Sequence, residues 1–218
     1  MFSSSCAVYG TPAALPIAED TPRQPVNPYG ASKLFVEHAP ESYDRAYGLR
    51  YASLRYFNAV GADDSGEIGE LHTPETHLIP IALEAALGGR EAVPVYGNDY
   101  PTRDGTCVRD FVHVSDLAEA HVLALQHLLQ EGESLALNLG TGQGHSVQEV
   151  VRVVESVTEG EVPLDWQWRR AGDPPELVAD PRRAERELGW KARRSLEEMV
   201  ASAWTWARKQ QPGEKLAA

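Results

Sequence analysis

The 218-residue chain is short of cysteine, of basic residues and of long apolar runs, and each shortage excludes something. Two cysteines, Cys6 and Cys107, cannot make the disulfide framework of a small secreted domain, so a reducing cytoplasm is the expected compartment. Twenty Lys and Arg against 32 Asp and Glu leave a formal charge of −12. That balance removes the basic footprint that nucleic acid or an anionic membrane would need, and neither is expected as a partner. No stretch approaches the roughly 18 apolar residues of a membrane helix. Residues 1–10 have neither the basic flank nor the apolar length of a secretory signal, so the chain reads as cytoplasmic and unprocessed.

What is present is alternation. Helical stretches fall at 29–47, 78–87, 115–129, 146–158 and 196–209, and strands at 49–60, 92–96, 111–114, 135–139 and 164–168, the pattern of an α/β fold. Pro28 opens the first helix and Gly48 closes it, with Phe35, Val36 and Ala39 at helical spacing and Pro40 expected to kink it. Residues 2–9 read as the end of a core strand, yet nothing precedes them to supply the neighbours a parallel strand requires, so the chain is expected to be truncated at its front.

The first chemical signal is Tyr29 and Lys33, four residues apart on the first helix and so on one face. A phenol is a poor base at neutral pH until a nearby ammonium favours its ionised form, which makes Tyr29 the candidate acid/base and Lys33 its tuner. Ser3, Ser4 and Ser5 end a strand, where open α/β sheets place ligand chemistry, and one hydroxyl could share a substrate proton. Alone, such a pair is also what a core aromatic beside a solvated cation looks like.

In order, Ser3-Ser4-Ser5 followed by Tyr29-Gly30-Ala31-Ser32-Lys33 resembles the Ser and Tyr-x-x-x-Lys signature of the extended short-chain dehydrogenase/reductase superfamily. The stretches 55–62, RYFNAVGA, and 96–114, YGNDYPTRDGTCVRDFVHV, resemble blocks of one family within it, UDP-glucose 4-epimerase. The resemblance runs to about Trp206. Related dehydratases carry acids beside the catalytic turn, whereas Ser5-Cys6-Ala7-Val8-Tyr9-Gly10 has none.

The resemblance implies a fold: an incomplete Rossmann-like parallel sheet with its first strands missing, residues 1–60, plus a smaller α/β substrate-binding domain, residues 61–218. It implies NAD-dependent interconversion of UDP-glucose and UDP-galactose by reversible oxidation at C4, with Tyr29, Lys33 and Ser5 catalytic. Lys33, Tyr29 and Tyr56 would meet NAD. Ser5, Asn58, His77, Leu78, Tyr96, Arg109, Arg170, Asp173 and Leu177 would meet the UDP-sugar. A homodimer is the expected full-length assembly. The competing expectation is a chain that binds a UDP-sugar or a partner without catalysis.

Three departures stand out. The glycine-rich turn that cradles a dinucleotide pyrophosphate is not in these residues, and Gly140-Thr141-Gly142-Gln143-Gly144 lacks its spacing. His77 stands where the best-known members have asparagine, so a diphosphate contact could pass to an imidazole. Leu177 replaces a tyrosine that crowds the sugar 2-position, which would admit an N-acetyl group. Elsewhere, His72 and His77 with their interleaved acids lack the spacing of a zinc site on one helix face and read as a loop, so no metal is expected. Cys6 and Cys107 read as packing residues, and Trp166, Trp168, Trp204 and Trp206 as core or subunit contacts. An unpaired parallel edge would make the isolated chain prone to associate.

Overall fold

The computed structural model describes residues 1–210. The chain enters on β1 (Phe2–Ser5) and turns through one 3-10 turn (Cys6–Tyr9) before a long connection to α1 (Pro28–Tyr47). Asn27 starts α1 by accepting the Gly30 N–H on its side-chain oxygen at 2.8 Å, Pro28 fills a position with no N–H to satisfy, and Gly48 ends the helix left-handed. The helix continues through Pro40 to Tyr47. Only Gly30 and Glu37 of α1 are buried, and Phe35, Val36 and Ala39 face outward. The apolar spacing is genuine, but the face toward the sheet is polar because it is anchored by ion pairs rather than by packing.

The segment expected as one strand, 49–60, is two. β2 (Ala52–Tyr56) lies between β1 and the later β6, while β3 (Asn58–Val60) pairs with β5 in another sheet. The chain changes sheets at Phe57, whose N–H still reaches the Leu139 carbonyl of the first sheet, and Leu49 lies exposed outside both. Gly61 follows at φ +94°, where a Cβ would strike the His113 ring at 2.6 Å.

The rest of the chain is α2 (Leu78–Ala86), β4 (Val93–Tyr96), β5 (Val108–His113), α3 (Val114–Leu129), β6 (Leu135–Leu139), β7 (Gly144–Ser146), α4 (Val147–Thr158), β8 (Leu164–Gln167), β9 (Glu176–Leu177), α5 (Arg182–Leu188) and α6 (Leu196–Lys209). Reciprocal capping boxes, Ser146 with Glu149 and Ser195 with Glu198, start α4 and α6.

The first sheet is parallel, in the order β1-β2-β6, which leaves the outer edge of β1 unpaired among the described residues. In the second, β5 pairs with β3 and β9 in parallel and with β7 antiparallel, while β4 and β8 form a separate parallel pair. Leu54, Leu137, Leu139, Ala120 and Trp190 pack between the first sheet, α3 and the α5 segment. Ile79, Leu83, Val150, Val154, Met199 and Val200 fill the space between α2, α4 and α6. Trp166 and Trp168 stand exposed on β8 and just beyond it, outside either core, while on the last helix Trp204 packs against the second core and Trp206 lies against Gly69.

Candidate active site

Parallel α/β sheets present ligands at the carboxyl ends of their strands, and the carboxyl end of β1 meets the first turn of α1. Gly30 allows that approach, because a Cβ there would lie 2.3 Å from the Ala7 carbonyl oxygen. Tyr29 is thereby held beside the turn after Ser5, with its ring half exposed. One helical turn on, the Lys33 ammonium lies 5.6 Å from the Tyr29 ring centroid and 5.3 Å from that of Phe2, and donates to the Ser3 carbonyl at 2.9 Å. The two side chains share a face, as their spacing requires.

A third residue continues that face. Glu37, eight residues after Tyr29, is fully buried. It accepts from Ser4 Oγ at 2.5 Å, from Arg55 Nε at 2.8 Å and Nη2 at 2.7 Å, and from Arg23 at 2.9 Å. Burial pushes its carboxyl up, but the Arg55 fork pulls it further down, so it stays ionised below the ordinary glutamate range. Arg55 also donates to Tyr9 Oη at 2.9 Å, and Tyr9 donates to Asn138 Oδ1 at 2.7 Å. Burial raises the Tyr9 phenol to about 12, which keeps it a proton-bearing structural group.

A cavity of about 1060 Å³ opens beside Tyr29. Ser5, Tyr29, Tyr56 and Asn58 line it from the first elements; His77, Leu78, Tyr96, Arg109, Arg170 and Asp173 line it from the later ones. Asn58 is fixed by donating to the Asp110 carbonyl at 2.9 Å, and Ser5 Oγ accepts from the Ala7 N–H at 3.2 Å. Arg109 pairs with the Asp173 carboxylate and donates to the Val108 carbonyl at 2.8 Å, so its position is set before any ligand arrives. The Arg170 guanidinium lies over the Tyr96 ring, 3.6 Å from its centroid. His77 turns its Nδ1 toward Glu70 at 2.6 Å and Glu75 at 3.0 Å.

Two expected residues stand apart from the wall. Lys33 reaches the site through Tyr29 and Ser3 rather than by lining the cavity. Leu177 packs against the buried group around Cys6, Tyr9 and Phe57. Cys6 does line the cavity, but burial raises its thiol to about 12, so it is neither a nucleophile nor an acid of use at neutral pH.

The glycine-rich turn after β6 is no phosphate cradle. The buried Asp110 carboxylate already accepts from the Thr141 N–H at 2.8 Å, the Thr141 hydroxyl at 2.6 Å and the Gly142 N–H at 2.9 Å, filling the place an anion would take. Sequence reasoning missed Glu37 and Arg55, although a basic residue inside an apolar strand and an acid at i+8 from Tyr29 were both visible. It also missed Glu70 and set His72 aside as a loop residue, and the loop brings both to the cavity wall.

A family model described as GDP-mannose 4,6 dehydratase matches residues 1–203. The UDP-glucose 4-epimerase of Halalkalibacterium halodurans is 51% identical over 207 residues, covering 94% of this chain and 62% of that protein. The crystal structure of UDP-glucose 4-epimerase from Brucella ovis in complex with NAD is similar with a TM-score of 0.90 at 52% identity, covering 94% of this chain and 64% of that one. The Bifidobacterium longum UDP-glucose 4-epimerase in complex with NAD+ and UDP gives 0.90 at 44% identity, covering 96% and 63%. The chain thus spans less than two thirds of the length of these relatives.

Proposed function

The chain belongs to the GDP-mannose 4,6 dehydratase family, and from that premise we propose that it supplies the acid/base and UDP-sugar portion of an NAD-dependent UDP-glucose 4-epimerase. The observation that carries this reading is a single cavity lined by Tyr29 and Ser5 as well as by Asn58, Tyr96, Arg109 and Arg170. The family's name points to dehydration, but that chemistry needs acids after the serines, and here Cys6, Ala7 and Val8 follow Ser5.

The residues present suit the ribose end of a nicotinamide cofactor. The Lys33 ammonium has three N–H donors, and among the described residues one is engaged, by Ser3. Lys33, Tyr29 and Tyr56 would hold that end. Bound NAD would supply the reversible acceptor for the hydrogen leaving C4 with its electron pair. No Gly-x-Gly-x-x-Gly turn occurs in the 218 residues, so the pyrophosphate is not assigned to this chain. Tyr29 takes the proton of the sugar 4-hydroxyl and returns it after the 4-keto sugar has presented its other face, and Ser5 shares that proton by hydrogen bonding. Arg109 and Arg170 bind the diphosphate oxygens, and Tyr96 lies beside the uracil. Asp173, already paired with Arg109, accepts from sugar or ribose hydroxyls.

Calorimetric titration of UDP into the chain tests the nucleotide half of this assignment. Charge-assisted hydrogen bonds contribute about 1.5–3 kcal/mol each, so Arg170→Ala is expected to weaken UDP binding roughly 10- to 100-fold. Unaltered affinity would remove Arg170 from the site.

We also assign the exposed stripe Phe35, Ala39, Tyr43 and Tyr47, repeating every four residues along α1, to pairing of two copies of the chain. Phe35 and Tyr47 are each 79% exposed, which is unusual for large apolar side chains gathered on one helix face. Sedimentation equilibrium should find a dimer that Phe35→Glu dissociates, and a monomeric parent would contradict the assignment. Among the described residues no helix is long and apolar enough to cross a membrane.

A further inference from the structure

The loop leading from β3 into α2 gathers a second set of groups that acid/base chemistry at Tyr29 does not use. Glu70, His72, Glu75 and His77 each bring one ligand atom to within 4.8 Å of all the others. We propose that these four residues form a binding site for one divalent transition-metal ion of the zinc class. The proposal stands independently of the reaction assigned to the cavity.

Four features of the loop support it. The donor set, two imidazole nitrogens and two carboxylate oxygens, is one that zinc-class ions favour. The spacing is close to a coordination shell: His72 Nδ1 lies 2.9 Å from Glu70 Oε1 and 3.7 Å from Glu75 Oε2, and His77 Nδ1 lies 2.6 Å from Glu70 Oε1. Zinc bonds of about 2.0–2.2 Å in tetrahedral array put neighbouring donors roughly 3.3–3.6 Å apart, so shifts of about 1 Å or less per donor would complete the shell. The histidine side chains, 54% and 57% exposed, are free to make them.

The loop is also held from outside the cluster. Trp206 Nε1 donates to the Glu70 carbonyl at 2.8 Å, and the Trp206 ring lies so close to Gly69 that a Cβ there would meet it at 2.3 Å. Glu75 Oε1 accepts from the Thr76 and His77 N–H groups at 2.7 and 2.8 Å, which leaves Oε2 to face His72. His77 sits at the N-cap of α2 without using its side chain as a cap.

Finally, the charge is uncompensated. Among the described residues the ion-pair partners of Glu70 and Glu75 are these two histidines, and neither carboxylate meets a lysine or arginine. With neutral imidazoles the four residues carry two negative charges in one small volume, which a divalent cation neutralises.

The test uses the tag-free 218-residue chain, stripped of metal by chelation and titrated with Co2+, whose visible d–d bands report four-coordinate binding. One ion per chain is expected, displaced by Zn2+. Even outer-shell partners are worth about 10- to 100-fold in metal affinity, so His72→Ala and Glu70→Gln should each weaken binding at least about tenfold. Far-UV circular dichroism confirms that each variant keeps its fold. X-ray absorption of the zinc-loaded chain should show two imidazoles. Absence of saturable binding, affinity unchanged in both variants, or a zinc shell without imidazole scattering would each overturn the proposal.

Discussion

Tyr29→Phe is expected to lower the rate of UDP-galactose conversion by about 10²–10⁴-fold, the range that a positioned acid/base supplies. The assay places this chain behind the N-terminal segment of the Brucella ovis epimerase, a protein of which the chain covers 64%. The loss should fall on kcat with little change in KM, because UDP is assigned to Arg109, Arg170 and Tyr96 and not to the phenol. Tyr9 and Cys6, which follow Ser5 in the same turn, are both raised to about 12 by burial and offer no base at neutral pH. Lys33→Met should show a smaller loss, accompanied by weaker NAD binding, since Lys33 is assigned both to Tyr29 and to the ribose. A Tyr29→Phe enzyme that kept the parent kcat would mean that another group moves the proton.

The largest effect on stability is expected at Glu37, which holds α1 against the sheet. Its carboxylate ties α1 to Ser4 of β1, to Arg55 of β2 and to Arg23 of the connection, with the Glu37 and Arg55 side chains only 1% and 3% exposed. Removing one partner of a buried pair leaves the other charged and unpaired, so Glu37→Ala should cost about 3–5 kcal/mol by denaturant unfolding. The double variant Glu37→Leu with Arg55→Met should recover most of that loss, because the buried charge disappears with its partner. The sign with pH follows from the lowered carboxyl: this contribution is fully present above the unfolded-state glutamate pKa and is lost as pH falls through the lower folded-state value. Comparable stability of Glu37→Ala and parent would show that α1 is held by other contacts.

Much of this was legible in the sequence where the constraint is local. Tyr29 and Lys33 had to share a face once 29–47 was helical, and the helix expected at 196–209 has the bounds the structure gives it. Where the constraint is tertiary, the sequence was silent. Nothing in Leu54-Arg55-Tyr56-Phe57-Asn58 announces that β2 will pair with β6 while β3 leaves for β5, since those partners lie some 50 to 80 residues further on. Periodicity found the stripe through Phe35 and Ala39 but could not say whether the sheet or solvent lay opposite, and a buried ion network took the inner face instead. The glycine turn at 140–144 could be set aside on spacing alone, yet the physical reason, the Asp110 carboxylate seated in it, required coordinates. The loop 70–77 was judged by helix-face spacing, a rule that does not apply to a chain segment folded back on itself.

The most direct measurement is proton NMR of UDP-galactose in deuterated water with NAD and the fusion described above. The account predicts formation of UDP-glucose with the C4 hydrogen undeuterated and no net reduction of NAD, because Tyr29 exchanges only the hydroxyl proton and the carbon-bound hydrogen returns to the same sugar. A 4-keto-6-deoxy product, or no conversion by the fusion under conditions where the Brucella ovis enzyme turns over, would contradict it.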